Sequence, residues 1–101
     1  MEEPPEEDKA LVAAKEYVFN PLQAEKEVAT GNYYAKKGNF KAAATRFSEA
    51  TKWNPGLAEA WLRLGEMLEK KKDMKGAKQA YAKYLELAPD AKNAALIKKK
   101  L

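Results

Sequence analysis

The sequence predicts an all-α fold in which antiparallel helix hairpins stack side by side. The first observation behind this prediction is a period of 34 residues, which separates Gly31 from Gly65 and Pro55 from Pro89. The second is the composition of the segments between the prolines, which are rich in the helix formers Ala, Leu, Glu and Lys. The third is the length, because 101 residues make one domain at most.

Residues related by the period keep their size and their position on a helix face. The aromatic Phe47 is matched by Tyr81, and the polar Asn39 is matched by Asp73. Because a chance match rarely preserves both properties, the period indicates two structural repeats. The identical pairs include Ala24 and Ala58, Glu25 and Glu59, Gly31 and Gly65, Lys41 and Lys75, Ala43 and Ala77, and Pro55 and Pro89.

The first repeat, residues 24–57, is predicted to contain two helices. The first helix covers residues 24–37 and stops at Gly38, which begins a polar turn. The second helix covers residues 40–53. It must end before Pro55, because proline lacks an amide hydrogen and disfavours helical geometry in the residue that precedes it.

The second repeat, residues 58–91, has the same organisation. Its helices are predicted at residues 58–71 and 74–87, separated by a Lys-Asp turn and followed by Pro89. A helix of about 14 residues is roughly 21 Å long, and four such helices in two hairpins bury their apolar sides only by stacking.

Two glycines stand in the middle of predicted helices, where glycine costs roughly 1 kcal/mol relative to alanine. Gly31 and Gly65 occupy the same point of their repeats. We expect each to let a large ring, Phe47 or Tyr81, pack directly against the helix backbone.

These residues resemble the tetratricopeptide repeat, whose pattern places Trp, Leu, Gly and Tyr on the first helix, Ala, Phe and Ala on the second, and Pro after it. Glu27 and Thr30 depart from the pattern, which has Trp and Leu at those positions. The resemblance implies a right-handed superhelical stack of helix hairpins. The matching residues are Gly31, Tyr34, Ala43, Phe47, Ala50 and Pro55 in the first repeat, and Trp61, Leu64, Gly65, Ala77, Tyr81 and Pro89 in the second.

The N-terminal segment is predicted to contain a disordered end and a helix. Residues 1–7 are acidic and have nothing apolar to bury beyond Met1, so we expect them to be disordered. Residues 8–19 are expected to form the second helix of a preceding, degenerate repeat, because Pro21 lies 34 positions before Pro55. The expected buried side of this helix consists of Leu11, Val12, Ala14, Val18 and Phe19.

The C-terminal segment, residues 91–101, is predicted to form an amphipathic helix that caps the stack. Its apolar residues can cover the exposed face of the helix at residues 74–87 while its lysines remain in water. The predicted domain therefore covers residues 8–101 and contains six helices.

The net charge of +4 is unevenly distributed. Residues 1–27 contain eight acidic and three basic side chains, which gives −5, whereas residues 70–101 contain ten lysines and three acidic side chains, which gives +7. A site for nucleic acid or anionic lipid at Lys98, Lys99 and Lys100 is the alternative to a simple cap, and it would bind in a steeply salt-dependent way. No interleaved aromatic residues accompany these lysines, so nucleic acid is not an expected partner.

The composition argues against catalysis and against a cofactor. The chain contains no cysteine and no histidine, which excludes thiolate nucleophiles, imidazole bases and the usual zinc sites. No glycine-rich phosphate loop is present, and Glu66 with Glu69 is typical of a solvated helix face. No apolar run reaches the roughly 18 residues of a membrane span. The compartment stays open between the cytoplasm and, if a leader has been trimmed, the periplasm.

The resemblance also implies which side chains face a concave groove formed by the first helix of each repeat. Four glutamates and one lysine give these positions a charge of −3, which favours a peptide or helix with basic and apolar residues. The alternative is that the glutamates serve only solubility. The expected groove residues are Glu25, Val28, Asn32, Ala35 and Lys36 in the first repeat, and Glu59, Leu62, Glu66 and Glu69 in the second.

One activity known in the family does not fit these residues. Chaperone-associated members bind a partner's terminal carboxylate with a clamp of lysines, asparagines and an arginine. Asn32 matches one clamp asparagine, whereas Val28 and Arg63 stand where a lysine and a second asparagine are needed. Asn93 and Ile97 replace the clamp lysine and arginine, so a terminal carboxylate is not the expected ligand.

A non-catalytic module that binds another protein, as a scaffold or adaptor, is the leading hypothesis. Residues 81–101 are also similar to segments of periplasmic repeat lipoproteins, which makes a structural role in bacterial envelope assembly the alternative. Such lipoproteins carry a leader and a lipidated cysteine, so that role requires that both have been trimmed from this sequence. Because two repeats are few for a stack, self-association that extends the stack also stays open.

Overall fold

A computed structural model describes residues 16–101, which contain five α-helices and no β-strand. The principal contacts join each helix to the next one along the chain, as in a stack of hairpins. The predicted all-α class is therefore confirmed. The helices are α1 (Pro21–Lys36), α2 (Phe40–Trp53), α3 (Ala58–Lys70), α4 (Met74–Leu87) and α5 (Ala94–Lys98).

Three of the helices begin at a polar residue whose side chain caps the first turn. The Oδ1 atom of Asn20 accepts a hydrogen bond from the Gln23 amide, and Asn39 and Asp73 cap α2 and α4 in the same way. Each bond satisfies one of the amides that have no partner within the helix. Helix α3 begins without such a cap, and the indole of Trp61 instead donates to the carbonyl oxygen of Pro55 at 2.8 Å.

The two hairpins turn in the same way at positions that are 34 residues apart. Gly38 and Lys72 both have a positive φ, 77° and 67°, and both follow the last residues of the first helix of their repeat. The amide after each of them donates to a carbonyl five residues earlier, from Asn39 to Tyr34 and from Asp73 to Leu68. This pattern is a Schellman motif, which normally has glycine at the left-handed position.

The contact expected between each mid-helix glycine and a ring is confirmed. A Cβ atom placed on Gly31 would lie 2.6 Å from Cε1 of Phe47, and one placed on Gly65 would lie 2.5 Å from Cε1 of Tyr81. Both rings are almost completely buried. The glycines therefore allow α1 to approach α2, and α3 to approach α4, more closely than any other residue would permit.

The apolar core is divided into two clusters along the stack. The first is buried between α1, α2 and α3 with Ala80 of α4, and its largest member is Phe47. The second lies between α4 and α5, where Ile97 packs with Tyr81 and Tyr84. Trp61 and Leu68 contact both clusters, so the two cores are continuous through α3.

The predicted N-terminal helix is not found in its described part. Residues 16–20 form no helix, and Val18 and Phe19, which were expected to be buried, are 72% and 66% exposed. Pro21 disfavours helical geometry at the preceding Asn20, whose side chain is needed as the cap of α1. The remainder of the predicted helix, with Leu11, Val12 and Ala14, and the predicted disordered residues 1–7 lie outside the described residues.

Tyr17 connects this segment to α2. Its ring packs edge-to-face on Trp53, with the ring centroids 4.9 Å apart, and its hydroxyl donates to the carboxylate of Glu49. The amide of Asn20 also donates to the carbonyl oxygen of Trp53 at 2.9 Å. Helix α1 consequently begins at Pro21, three residues before the predicted start.

The C-terminal cap is shorter than predicted. Only Ala94–Lys98 is helical, and turns lie on both sides of it within the predicted segment 91–101. Ala94 and Ile97 are buried, as a cap requires, but Leu96 is 64% exposed. One helical turn has only one inward side, so it cannot bury Leu96 together with Ile97.

Candidate functional site

The first helices of the two repeats line a cleft of about 310 Å³. It contains four of the nine predicted groove residues, Glu25, Val28, Asn32 and Glu59. Val28 is buried and forms the floor, whereas both glutamates are exposed. We call this the α1–α3 cleft, and its complete lining is Pro21, Glu25, Val28, Ala29, Asn32, Asn54, Leu57 and Glu59.

A second cleft, of about 520 Å³, lies between α3 and the C-terminal cap. It contains the predicted groove residues Glu66 and Glu69 together with several cations that the sequence argument does not count. We call this the α3–α5 cleft, and it is lined by Arg63, Glu66, Met67, Glu69, Lys70, Lys72, Tyr81, Ile97 and Lys100. The nine predicted residues are therefore divided between two neighbouring sites and the surface around them.

The other three predicted groove residues line neither cleft. Ala35 packs against the first core cluster, and Leu62 packs against the second, both partly buried. Lys36 is exposed in the last turn of α1. These side chains share a helix with the cleft residues, but packing between helices turns two of them toward the core.

Arg63 connects the two clefts. Its guanidinium donates to Oδ1 of Asn32 through Nε and Nη2, both at 3.2 Å, and to Oε1 of Glu66 through Nη1 at 2.6 Å. It also lies over the ring of Phe47, 5.4 Å from the centroid. The guanidinium is planar and its N–H donors point in different directions, so it can bond to both oxygens while its face lies over the ring.

Glu69 is the most constrained carboxylate in the α3–α5 cleft. It accepts a hydrogen bond from the hydroxyl of Tyr81 at 2.5 Å. It also forms an ion pair with Nζ of Lys100 at 3.1 Å. The bond from Tyr81, followed by that from Lys100, holds the pKa of Glu69 below its ordinary value. Burial, and then the same carboxylate, raises the pKa of Tyr81.

The charge of the predicted groove is therefore changed by its surroundings. Arg63 and Lys100 neutralise Glu66 and Glu69 within the chain. Glu25 and Glu59 form no ion pair and no side-chain hydrogen bond with residues 16–101. The sequence places Arg63 three positions before Glu66, which is a spacing typical of an ion pair on a helix. Lys100 lies 31 positions after Glu69, and no local pattern in the sequence indicates that they pair.

The described residues contain no cluster of three or more Asp, Glu, His or Cys side chains that could hold a metal ion. None of the helices within residues 16–101 is both long and apolar enough to cross a membrane. What the two clefts present is a surface of carboxylates, cations and apolar side chains suited to noncovalent binding.

A family model, the tetratricopeptide repeat, matches residues 28–92, which is more than half of the sequence. The chain belongs to the tetratricopeptide repeat family. Tetratricopeptide repeats generally mediate protein–protein interaction, and the family is typically non-catalytic. No curated protein sequence gives a significant match.

In this tetratricopeptide repeat protein, the positions of the family's carboxylate clamp have structural roles. Val28 and Ile97 are buried in the two core clusters. Asn93 accepts a hydrogen bond from the hydroxyl of Tyr84 at 2.6 Å, and Asn32 is bonded to Arg63. None of these four side chains presents a free cation to a terminal carboxylate.

Proposed function

We propose that the chain binds a peptide or helix of a partner protein in the α1–α3 cleft, and that the ligand carries basic and apolar side chains. The observation that supports this proposal is the contrast between two pairs of glutamates. Glu66 and Glu69 are neutralised within the chain, whereas Glu25 and Glu59 are exposed without an ion pair in residues 16–101. A ligand at the second pair would have no ion pair within residues 16–101 to displace.

The apolar lining determines what kind of cation fits. Val28 is buried and Leu57 is half-buried, and both line the cleft together with the two glutamates. A lysine or arginine side chain can lay its apolar stem along such a wall and place its charge at a carboxylate. An acidic ligand would meet uncompensated repulsion at the same place.

The test begins with selection of random 12-residue peptides on the immobilised chain. We expect the retained peptides to be enriched in Lys and Arg alternating with Leu, Ile or Phe. One retained peptide and its twin with Glu at every basic position are then compared by fluorescence anisotropy. The basic peptide is expected to bind, and more weakly at high salt, because exposed ion pairs are screened.

Charge reversal locates the binding site. The double variant Glu25→Lys/Glu59→Lys should bind the basic peptide at least tenfold more weakly, since two exposed pairs of up to about 1 kcal/mol each become repulsive. The matched control is Glu86→Lys, an exposed glutamate on α4 outside both clefts. The proposal is wrong if the folded chain retains no peptide, or if both variants weaken binding equally.

A further inference from the structure

The turns inside the two repeats lie at the same edge of the stack, because α1 and α3 end there and α2 and α4 begin there. In each repeat, the end of the first helix, the turn and the start of the second helix carry exposed lysines. The end of the C-terminal cap adds one more, and we call these eight residues the basic edge. They are Lys36, Lys37, Lys41, Lys70, Lys71, Lys72, Lys75 and Lys100.

Contacts between the helices show that the basic edge is one continuous surface. Nζ of Lys70, at the end of α3, lies 5.4 Å from the centroid of the Phe40 ring, at the start of α2. This contact joins the turn of the second repeat to the turn of the first. Nζ of Lys100 lies 3.1 Å from Oε1 of Glu69, in the last turn of α3, so the end of the cap reaches the same edge.

The positive charge of the basic edge is only partly compensated by the residues around it. Lys100 is the one lysine of the edge that forms an ion pair within residues 16–101, and the acidic side chains of the two turns are Glu69 and Asp73. These ten side chains have a net charge of +6. The opposite edge of the stack contains six acidic and three basic side chains, so the charges of the described residues are segregated. Its residues are 16–25, 49–60 and 83–93.

Two lysines of the basic edge stand where a helix disfavours a cation. Lys41 and Lys75 are the second residues of α2 and α4, and neither helix has an acidic residue in its first turn. Because the amino end of a helix carries a partial positive charge, a cation there is repelled by the helix dipole. Helix stability therefore does not explain these two lysines. A negatively charged ligand at this edge would interact favourably with both the lysines and the helix ends.

Two exposed apolar side chains lie among the lysines. Tyr33 is 57% exposed, and Nζ of Lys37 lies 5.6 Å from the centroid of its ring. Met74 is 48% exposed and stands between the second turn and Lys75. Lysines combined with exposed apolar side chains are typical of surfaces that bind in the headgroup region of a membrane. Nucleic acid would bind the lysines through its phosphates, but those phosphates offer no apolar region to a methionine.

From these observations we infer that the basic edge binds the surface of a membrane that contains anionic lipids. The lysines lie at the negatively charged groups of the lipids, and Tyr33 and Met74 enter the headgroup region. The tips of the two hairpins project at one edge, so both can contact a flat surface at the same time. This mode of binding requires no membrane-spanning helix.

Membrane binding at this edge is independent of the proposed peptide site. Glu25 and Glu59 lie near the beginnings of α1 and α3, at the opposite edge of the stack. A chain bound by its basic edge therefore keeps these two glutamates away from the lipid. The double variant Glu25→Lys/Glu59→Lys, which tests peptide binding, should not weaken membrane binding.

Cosedimentation of the full chain with vesicles measures the binding. We expect the chain to bind vesicles of equimolar phosphatidylserine and phosphatidylcholine, and not vesicles of phosphatidylcholine alone. Raising the salt concentration should weaken the binding, because interactions between exposed charges are screened. Each lysine close to an anionic membrane should contribute about fivefold to the affinity.

Lys41→Glu/Lys75→Glu removes two lysines of the edge and should weaken binding to the mixed vesicles at least about 25-fold. The same substitutions place acidic residues in the first turns of α2 and α4, so the melting temperature should stay unchanged or rise slightly. A loss of binding would then not result from unfolding. The matched control is Lys26→Glu/Lys92→Glu, which makes the same change in net charge at exposed positions outside the basic edge and should leave most of the binding intact.

A second variant tests the apolar part of the contact. Met74→Ser removes an exposed apolar side chain without changing the charge. Because apolar groups that enter the headgroup region strengthen membrane binding, this variant should weaken binding to the mixed vesicles at least about threefold. An unchanged affinity would overturn the choice of lipid as the ligand.

Three further outcomes would overturn the inference. The first is a wild type that does not bind the mixed vesicles at low salt. The second is a control variant that loses as much binding as Lys41→Glu/Lys75→Glu, which would mean that net charge alone matters. The third is displacement of the chain from the vesicles by duplex DNA at an equal concentration of phosphate, which would indicate that the edge prefers nucleic acid.

Discussion

Replacing Gly31 by alanine tests the close approach on which the first hairpin depends. The added Cβ atom would lie 2.6 Å from Cε1 of Phe47 and 2.9 Å from two further ring carbons. The ring of Phe47 is fully buried at the centre of the first core cluster. It therefore cannot move aside without disturbing the packing of α1, α2 and α3.

Two effects of opposite sign determine the size of the change. Alanine is favoured over glycine inside a helix by about 1 kcal/mol. Forcing a methyl group into a packed core costs about 1–3 kcal/mol and sometimes more. With three ring atoms closer than 3.0 Å, the steric cost lies at the upper end, so Gly31→Ala should lower the free energy of unfolding by roughly 1–2 kcal/mol.

Urea denaturation followed by circular dichroism measures this loss, and the melting temperature should fall by about 4–8 °C per kcal/mol. Gly56→Ala is the matched control, because a Cβ atom there meets only Oδ1 of Asn54, at 3.5 Å. Adding Phe47→Leu to Gly31→Ala should recover at least part of the loss, since leucine removes the ring atoms that clash. The steric explanation would be refuted if Gly31→Ala left the free energy of unfolding unchanged or raised it. It would also be refuted if the effects of Gly31→Ala and Phe47→Leu simply added in the double variant.

Three further predictions concern the second turn and two tyrosine–carboxylate pairs. Lys72→Gly should raise the free energy of unfolding by about 0.5–1 kcal/mol in urea titrations, because Lys72 has a φ of 67° where the first repeat has glycine; an unchanged midpoint would contradict this. The lowered pKa of Glu69 means that its carboxylate stabilises the fold above its ordinary pKa of 4.5 and that this contribution is lost as the pH falls through the lower folded value. Glu69→Gln should therefore flatten the melting temperature profile below about pH 4.5, and an unaltered slope would count against the Tyr81 and Lys100 contacts. Burial and Glu49 raise the pKa of Tyr17 from 10.0 to about 12, so its contribution is complete below pH 10 and is lost as the pH rises toward 12. Tyr17→Phe should reduce the alkaline fall in melting temperature between those limits, and a fall as steep as in the wild type would be inconsistent with it.

The positions of the helix turns could be predicted from the sequence because their causes are local. Pro55 and Pro89 act on the residue immediately before them, and Asn39 and Asp73 cap the helix that begins at the next residue. The Gly31 contact with Phe47 was also predictable, because a glycine in a helix interior requires compensation. These signals depend on neighbours within a few positions.

The N-terminal segment shows where local reasoning was insufficient. Pro21 and Pro55 are 34 positions apart, but they have different roles: Pro21 is the first residue of α1, whereas Pro55 follows the end of α2. The residues before Pro21 instead contact α2 through Tyr17, whose ring packs on Trp53, 36 positions away. No periodic pattern in the N-terminal segment indicates the contact between Tyr17 and Trp53.

Glu27 is a second case of the same kind. It replaces the tryptophan of the family pattern, and nothing near it in the sequence indicates a partner for its charge. In the structure it is 8% exposed, with its carboxylate 3.3 Å from Nη1 of Arg46 on α2. A charged side chain can be buried there because a partner from the next helix compensates the lost hydration.

By itself, the sequence determined that this protein is a stack of helix hairpins with two tetratricopeptide repeats. Repeat length, helix stops and small residues are local properties, and they recur at a fixed distance. Only the tertiary structure decided which glutamates are ion-paired within the chain, because Lys100 reaches Glu69 from the cap and Arg63 joins Asn32 to Glu66 across two helices. The charge of a surface depends on all the side chains that packing brings together there. When these side chains are far apart in the sequence, no local pattern predicts that they will be in contact.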